Sequence, residues 1–255
     1  MRGLEGMVVI VTGGAEGLGR ACVRELGAQG ARVAIGDVDE EAGGAAAAEL
    51  GEAGHFARCD VASAADVERL VEDSARVFGR IDGLLSNAGI EGNGSVETCD
   101  EETWDRVLAV NLKGMFLAAK FVVPHLRAAG GGSILNMASV SGFWGEPNTV
   151  AYNAAKGGVI GLTRAMAMDH GRDGIRVNCL CPGYHATGMP ARFFAGQPDP
   201  GAMAAEVDAL IALRRMGDPG ELARTAAFLL SDATKGITGA AIVLDGGMTA
   251  GYPWY

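Results

Sequence analysis

Val8-Val9-Ile10-Val11-Thr12-Gly13-Gly14-Ala15-Glu16-Gly17-Leu18-Gly19 reads as a short buried strand, a glycine-rich turn and the opening of a helix. The apolar run has strand length, and Leu18, Ala21, Cys22 and Leu26 then continue with helical spacing along one face. Gly13, Gly17 and Gly19 at such a junction permit a tight turn, close approach of backbone to a pyrophosphate, and close packing of helix on strand. The helix N-terminus adds amide donors for the phosphates. The chain has 40 glycines, so the placement between strand and helix carries the reading, not the cluster itself.

The same alternation extends along the chain. Strand-like runs recur at residues 32–35, 81–86, 133–137, 175–179 and 241–244, separated by helix-period stretches. This pattern predicts an α/β fold with a parallel sheet covered by helices on both faces. Val67, Leu70, Val71, Val77 and Phe78 share one helical face behind Ser63 and Asp66, which have capping-box spacing. Residues 104–126 are apolar around more of the helix than one core-facing stripe needs, which predicts a partner subunit on the second side. Pro124 is expected to bend or end that helix. Gly188, Gly196, Pro198, Pro200 and Gly201 break up the next region before a helix-like run at 203–213, so residues 188–219 are expected to form a mobile segment beside the site.

Composition narrows the function classes. A chain of 255 residues with 49% hydrophobic and 20% charged residues suits one large domain, here residues 1–255, and no linker divides it. The formal net charge of -10 argues against nucleic acid or an anionic membrane as partner. No start pattern of a secretory signal is legible, and five scattered cysteines read as free thiols in a reducing cytoplasm. Cys179 and Cys181 lack a second ligand pair at zinc spacing, so no metal is expected.

The strand at residues 32–35 leads into Gly36-Asp37. An acidic side chain about 20 residues past a glycine turn can accept hydrogen bonds from the adenosine ribose. A 2′-phosphate would meet Asp37 directly, Glu16 adds negative charge nearby, and no Lys or Arg follows Asp37. The expected cofactor is NAD rather than NADP.

The glycine turn, Ser86-Asn87-Ala88-Gly89, Ser139, and Tyr152-Asn153-Ala154-Ala155-Lys156 together resemble the short-chain dehydrogenase/reductase family over essentially the whole chain. The resemblance implies a single-domain, Rossmann-like, doubly wound and mostly parallel seven-stranded sheet. It also implies hydride exchange between a nicotinamide and a secondary alcohol or ketone, with Tyr152 moving the proton. Tyr152 and Lys156 stand four residues apart on one helical face. An ammonium about 5 Å from a phenol at an effective dielectric near 20 supplies roughly 3 kcal/mol, on the order of two pKa units of depression from about 10. Ser139, thirteen residues before Tyr152, matches the family serine that holds the substrate oxygen, while Ser141 reads as a loop hydroxyl. Asn111 matches the asparagine that steadies a water beside the lysine.

By the same resemblance, Asp60 and Val61 contact adenine, and Asn87, Ala88 and Gly89 form the wall beneath the adenosine. Pro182, Gly183, His185 and Thr187 belong to the segment gripping the carboxamide. His185 replaces the usual Ile or Val, and either a passive backbone contact or a reach toward substrate fits the sequence. The expected substrate pocket draws on Glu91, Val140, Trp144, Glu146, Tyr184 and Met189, with Ile90, Phe143 and Phe193 nearby. That mix suits a moderately sized, cyclic or polyhydroxylated alcohol. A homodimer or homotetramer is expected, with the aromatic tail Gly251-Tyr252-Pro253-Trp254-Tyr255 docking on a neighbour. Two rival readings are a reductase of carrier-bound 3-oxoacyl groups and a non-enzymatic cofactor sensor on the same fold.

Overall fold

The computed structural model describes residues 3–196 and 198–251; the tail Tyr252 to Tyr255 lies outside them. In chain order the elements are β1 (Val8–Thr12), α1 (Gly17–Ala28), β2 (Arg32–Asp37), α2 (Glu40–Glu49), β3 (Gly54–Arg58), α3 (Ala64–Phe78) and β4 (Gly83–Ser86). There follow α4 (Glu101–Leu108), α5 (Gly114–Ala128), β5 (Gly132–Met137), α6 (Val150–His170), β6 (Ile175–Pro182), α7 (Gly188–Ala195), α8 (Pro200–Leu210), α9 (Pro219–Leu230) and β7 (Ala241–Leu244).

Seven strands form one sheet in the order β3-β2-β1-β4-β5-β6-β7. All pairings are parallel. The chain starts at the centre, winds outward to β3 and returns to place β4 beside β1. At that switch of direction the loops at the C-terminal strand ends part and leave a crevice. Successive residues of the central strands face opposite layers. Val9, Val11, Val33 and Ile35 pack with α1 and α9, and Val8, Ile10, Ala34 and Leu84 pack with α3 and α5. Burial on both faces is why these strands read as unbroken apolar runs.

β3 gave no such signal. It is an edge strand paired only with β2, and its sequence Gly-His-Phe-Ala-Arg is half-buried. In α3 the buried face is Val67, Leu70, Val71, Ser74 and Phe78, while Val77 is 44% exposed and leaves the stripe assigned to it. Ser63 caps α3 by accepting the Asp66 N–H at 3.3 Å. The return half of the expected box is missing, because the Asp66 carboxylate takes the Asp60 N–H and the Arg58 and Arg69 guanidiniums.

Pro124 does not end its helix, which runs on to Ala128. Pro124 and Lys120, whose carbonyl loses its helical donor, both lie on the exposed side, so that carbonyl is open to solvent. The irregularity falls earlier, in a π-helical turn over Ala109–Lys113 that joins α4 to α5 and buries Asn111 completely. The run Glu101–Ala128 is long and apolar enough to cross a membrane, but it packs on the sheet and α6 as a core helix.

The segment between β6 and α9 carries two short helices, not one at 203–213. α8 starts at Pro200 behind an Asp199 cap and ends at Leu210. Phe194, Val207 and Ile211 form a small separate core with Tyr184, Phe193, Met203, Met216 and Met248.

Candidate active site

A cleft of about 720 Å³ opens at the C-terminal ends of β1 and β4. Its wall contains Gly13, Gly17, Leu18, Asp37, Asp60, Val61, Asn87, Ala88, Gly89, Tyr152, Lys156, Pro182, Gly183, His185 and Thr187, together with Ser139 and Met189. The glycine turn is shaped by contact. Gly13 has φ +67, and a Cβ there would stand 2.7 Å from the Ala88 Cα. Gly19 is buried behind the turn instead of lining the cleft, and a Cβ on it would meet the Gly13 carbonyl oxygen at 1.9 Å. Asn87 Nδ2 donates to the Gly13 carbonyl at 2.8 Å, and the Thr12 hydroxyl accepts the Asn87 and Ala88 N–H groups. Thr12 was not singled out in the sequence. A hydroxyl where a strand meets a glycine turn is the signal that could have found it.

Asp37 lines the cleft at the C-terminal end of β2. Its Oδ2 accepts the Ala15 N–H at 3.0 Å and its Oδ1 the Asp39 N–H at 3.2 Å. Two arginines of the surrounding elements are already engaged. Arg20 reaches Glu49 at 2.7 Å and the Ala42 carbonyl at 3.0 Å, and Arg58, in register with Asp37 on β3, pairs with Asp66 at 3.2 Å. The glycine cradle, the free amides opening α1 and this carboxylate fit a dinucleotide.

At the other end, Tyr152 and Lys156 occupy the first turns of α6 on one face. Lys156 is buried; its Nζ donates to the Met137 carbonyl at 2.7 Å and lies 5.5 Å from the Tyr152 ring centroid. The Ser139 side chain is hydrogen-bonded to Tyr152. Burial pushes the phenol up to about 12; the bond from Ser139 opposes the rise, and Glu146 and Glu91 add to it. Burial also lowers Lys156 to about 8. This corrects the sequence expectation of a phenol depressed by its lysine. The ammonium sits over the ring and is held by a carbonyl, and the loss of water outweighs its field.

Asn111 projects from the π turn. Its Nδ2 donates to the Ile90 carbonyl and its Oδ1 accepts the Ile90 N–H, both at 2.8 Å. The amide thereby fixes the chain next to Gly89, where a Cβ would come within 3.6 Å of Lys156 Nζ. His185 is 3% exposed, with Nδ1 3.0 Å from the Gly183 carbonyl oxygen. Burial lowers its pKa, so the ring is neutral and Nδ1–H donates. The ring packs on Gly217, where a Cβ would meet it at 2.6 Å.

Of the expected substrate-side residues, Met189 lines the cleft and Val140 is buried. Trp144 and Phe143 are exposed beside the turn after Ser139. Glu91, Glu146 and Tyr184 gather near the Tyr152 hydroxyl, and the two glutamates add to the rise of both phenols. One further member of this group had been read differently, and another had not been singled out. Ser141 is no idle loop hydroxyl, since it bonds both Ser139 and Glu146. Arg192 of α7 lines the cleft and opposes the burial-driven rise of Glu91.

A family model described as enoyl-(acyl carrier protein) reductase matches residues 13–249. With that span, the seven-stranded order and the Ser139, Tyr152 and Lys156 grouping, the chain belongs to the short-chain dehydrogenase/reductase family, whose dehydrogenases use nicotinamide cofactors. It is an oxidoreductase of secondary alcohols and ketones. It is 41% identical to meso-2,3-butanediol dehydrogenase of Serratia marcescens, over 95% of this chain and 94% of that one. It is also 41% identical to cis-4-hydroxycyclohexanecarboxylate dehydrogenase of Sinomonas cyclohexanicum, over 95% of this chain and 96% of the relative. The crystal structure of a levodione reductase superposes with a TM-score of 0.93 at 38% identity, covering 97% of this chain and 99% of that one.

Proposed function

We propose that this chain is an NAD-dependent dehydrogenase/reductase, one catalytic unit over residues 1–255, in which Tyr152 exchanges the proton of a cyclic or polyhydroxylated secondary alcohol. The observation that carries the reading is the convergence of a phenol, a hydroxyl bonded to it and a buried ammonium in the same cleft as the glycine turn. A bound oxidised nicotinamide would supply the hydride acceptor and a positive charge favouring phenolate. Tyr152 then takes the alcohol proton, and in the reverse direction returns it to the carbonyl oxygen. Ser139 donates a hydrogen bond to that oxygen as charge develops on it. Lys156 favours the ionised phenol, and the second hydrogen of Asn111 Nδ2 is available to a water beside it.

The NAD preference rests on Asp37. Its carboxylate lines the cleft and would repel a 2′-phosphate, Glu16 lines the same cleft, and Arg20 and Arg58 are paired with Glu49 and Asp66. The substrate class is supported by two carboxylates acting on Tyr152, Glu91 and Glu146, that suit a second hydroxyl, and by the diol and the hydroxycyclohexanecarboxylate named for the relatives. Residues 188–219 close over it, with α7 and α8 moving as a lid on their own small core. The exposed apolar strip of Leu108, Leu112, Phe116 and Leu162 meets a second subunit. The five thiols are free, as suits a cytoplasmic protein.

The test is nicotinamide absorbance with NAD and NADP across secondary alcohols, diols and cyclic polyols, with ketones in reverse. Turnover confined to acyl thioesters would favour acyl-carrier chemistry, the kind named by the matching family model. Tight dinucleotide binding without any turnover would favour a sensor.

A further inference from the structure

One carboxylate links three parts of the site. Glu146 Oε2 accepts the Ser141 hydroxyl at 3.0 Å, and its Oε1 accepts the Tyr184 hydroxyl at 2.8 Å. Ser141 continues the chain to the reacting groups: the Ser139 hydroxyl donates to Ser141 Oγ at 3.2 Å, and the Ser141 N–H donates to Ser139 Oγ at 3.2 Å. The backbone of Glu146 is itself anchored to α6, because its carbonyl accepts from Thr149 Oγ1 and Asn153 Nδ2, both at 2.9 Å. Asn153 is the neighbour of Tyr152, so the carboxylate is fixed relative to the phenol.

The chemistry of an ionised carboxylate gives this arrangement a direction. It accepts hydrogen bonds and cannot donate. The Ser141 hydrogen must therefore point at Glu146, which turns the Ser141 lone pairs toward Ser139. Ser139 Oγ then receives the Ser141 N–H, and its own hydrogen is left to choose between Ser141 Oγ, the Tyr152 hydroxyl and the reacting oxygen. A side chain at position 146 without acceptors would free Ser141 to rotate and would release Tyr184.

We infer that Glu146 is a positioning residue: through Ser141 it orients the hydroxyl of Ser139, and through Tyr184 it holds the loop after β6 against the helix that carries Tyr152. The inference rests on Ser139 and Tyr152 being the reacting groups. Charge gives it a second consequence. The groups facing the phenol are Ser139, Lys156, Glu146, Glu91 and Tyr184, with Arg192 beyond Glu91. The Glu146 charge works against phenolate, in the same direction as burial.

The experiment measures kcat and KM for alcohol oxidation from pH 6 to 10 in Glu146→Leu, Glu146→Gln, Ser141→Ala, Tyr184→Phe and Ser141→Ala/Glu146→Leu. Glu146→Leu should lower kcat roughly 10- to 100-fold and leave dinucleotide affinity within about twofold. Gln keeps one acceptor and should recover part of the loss. The double variant should be no slower than Glu146→Leu alone, because both changes cut the same chain. In Glu146→Gln the rising limb of the pH profile should move to lower pH, which a purely space-filling residue would not cause. Unchanged kcat with an unmoved limb in Glu146→Leu, or losses that multiply in the double variant, would overturn the inference. If Glu146→Leu shows no cooperative melt, Glu146→Gln and Tyr184→Phe decide it, and wild-type kcat with an unmoved limb in both is the refuting result. A wild-type protein inactive on every alcohol would instead refute the proposed function.

Discussion

The Asp37 carboxylate accepts the Ala15 N–H at 3.0 Å, so the residue ending β2 is bonded into the glycine turn that follows β1. Asp37 thus does two jobs: it fixes the turn and presents its remaining lone pairs to the cleft. Asp37→Ser should lower kcat/KM with NAD by about 1.5–3 kcal/mol, the usual worth of hydrogen bonds to a charged group. The fall with NADP should be smaller, since a repulsive charge leaves at the same time. The ratio of the two kcat/KM values checks this; an unchanged ratio would remove Asp37 from the selection of cofactor.

Lys156 should make the protein without dinucleotide less stable at neutral pH. Its pKa falls from 10.5 to about 8 on burial, so below pH 8 the folded state holds a charge that the unfolded chain solvates better. Between those two values the unfolded chain binds the extra proton, and stability rises with pH. At pH 7 the cost approaches ~3 kcal/mol before crediting the bond to Met137. Lys156→Met should therefore melt several degrees above wild type at pH 7, with the gap closing toward pH 10.5, while turnover is lost. Thermal melts at pH 7 and 10 without dinucleotide test it; a lower melting point at pH 7 would contradict it.

Tyr152→Phe should abolish turnover and spare dinucleotide binding. The phenol lines the cleft and is bonded to Ser139, so removing its oxygen leaves the reacting proton without a carrier. Fluorescence titration with NAD alongside the kinetic assay separates the two effects, and substantial turnover in a folded variant would reassign the role.

The legible parts of this molecule were those where one residue type is physically obligatory. Gly13 and Gly19 stand where any Cβ would strike backbone, and the central strands are apolar because both faces are covered. Position 37 was readable because its distance from the turn is fixed by one helix and one strand. β3 escaped because an edge strand needs no apolar run. Thr12 and Arg192 escaped for another reason: they are single polar residues that no periodicity marks. Ser141 was read as a loop hydroxyl and Glu146 as a pocket residue, but the bonds that link them to each other and to Tyr184 come only from the fold. The phenol's ionisation was misjudged because spacing along a helix gives proximity, whereas burial and the direction of Nζ come only from the fold.

Two glycines of the turn should differ in tolerance. Gly19→Ala would drive a methyl into the Gly13 carbonyl, whereas at Gly17 the nearest atom is 3.9 Å away and only φ +55 resists. The first should cost about 1–3 kcal/mol of stability and weaken NAD strongly; the second should cost about 1–2 kcal/mol. Urea melts and NAD titrations of both variants test the order, and equal behaviour would mean that the turn relaxes around an added carbon.

His185 gives the fold an acid-sensitive point. The ring is buried on Gly217 with Nδ1–H donating to the Gly183 carbonyl, and burial lowers its pKa, partly offset by that bond and by Glu221 and Asp218. Below the ordinary value of 6.5 the unfolded chain takes up a proton that the folded ring resists, so stability falls as pH drops through that region. His185→Asn keeps a donor in the place of Nδ1 and cannot titrate. It should be less stable at pH 7, because it leaves space against Gly217, yet lose less stability than wild type between pH 6.5 and 5. Substrate KM should hardly change, because the ring faces the loop and not the phenol. Parallel acid slopes for variant and wild type would show that the ring is as easily protonated folded as unfolded.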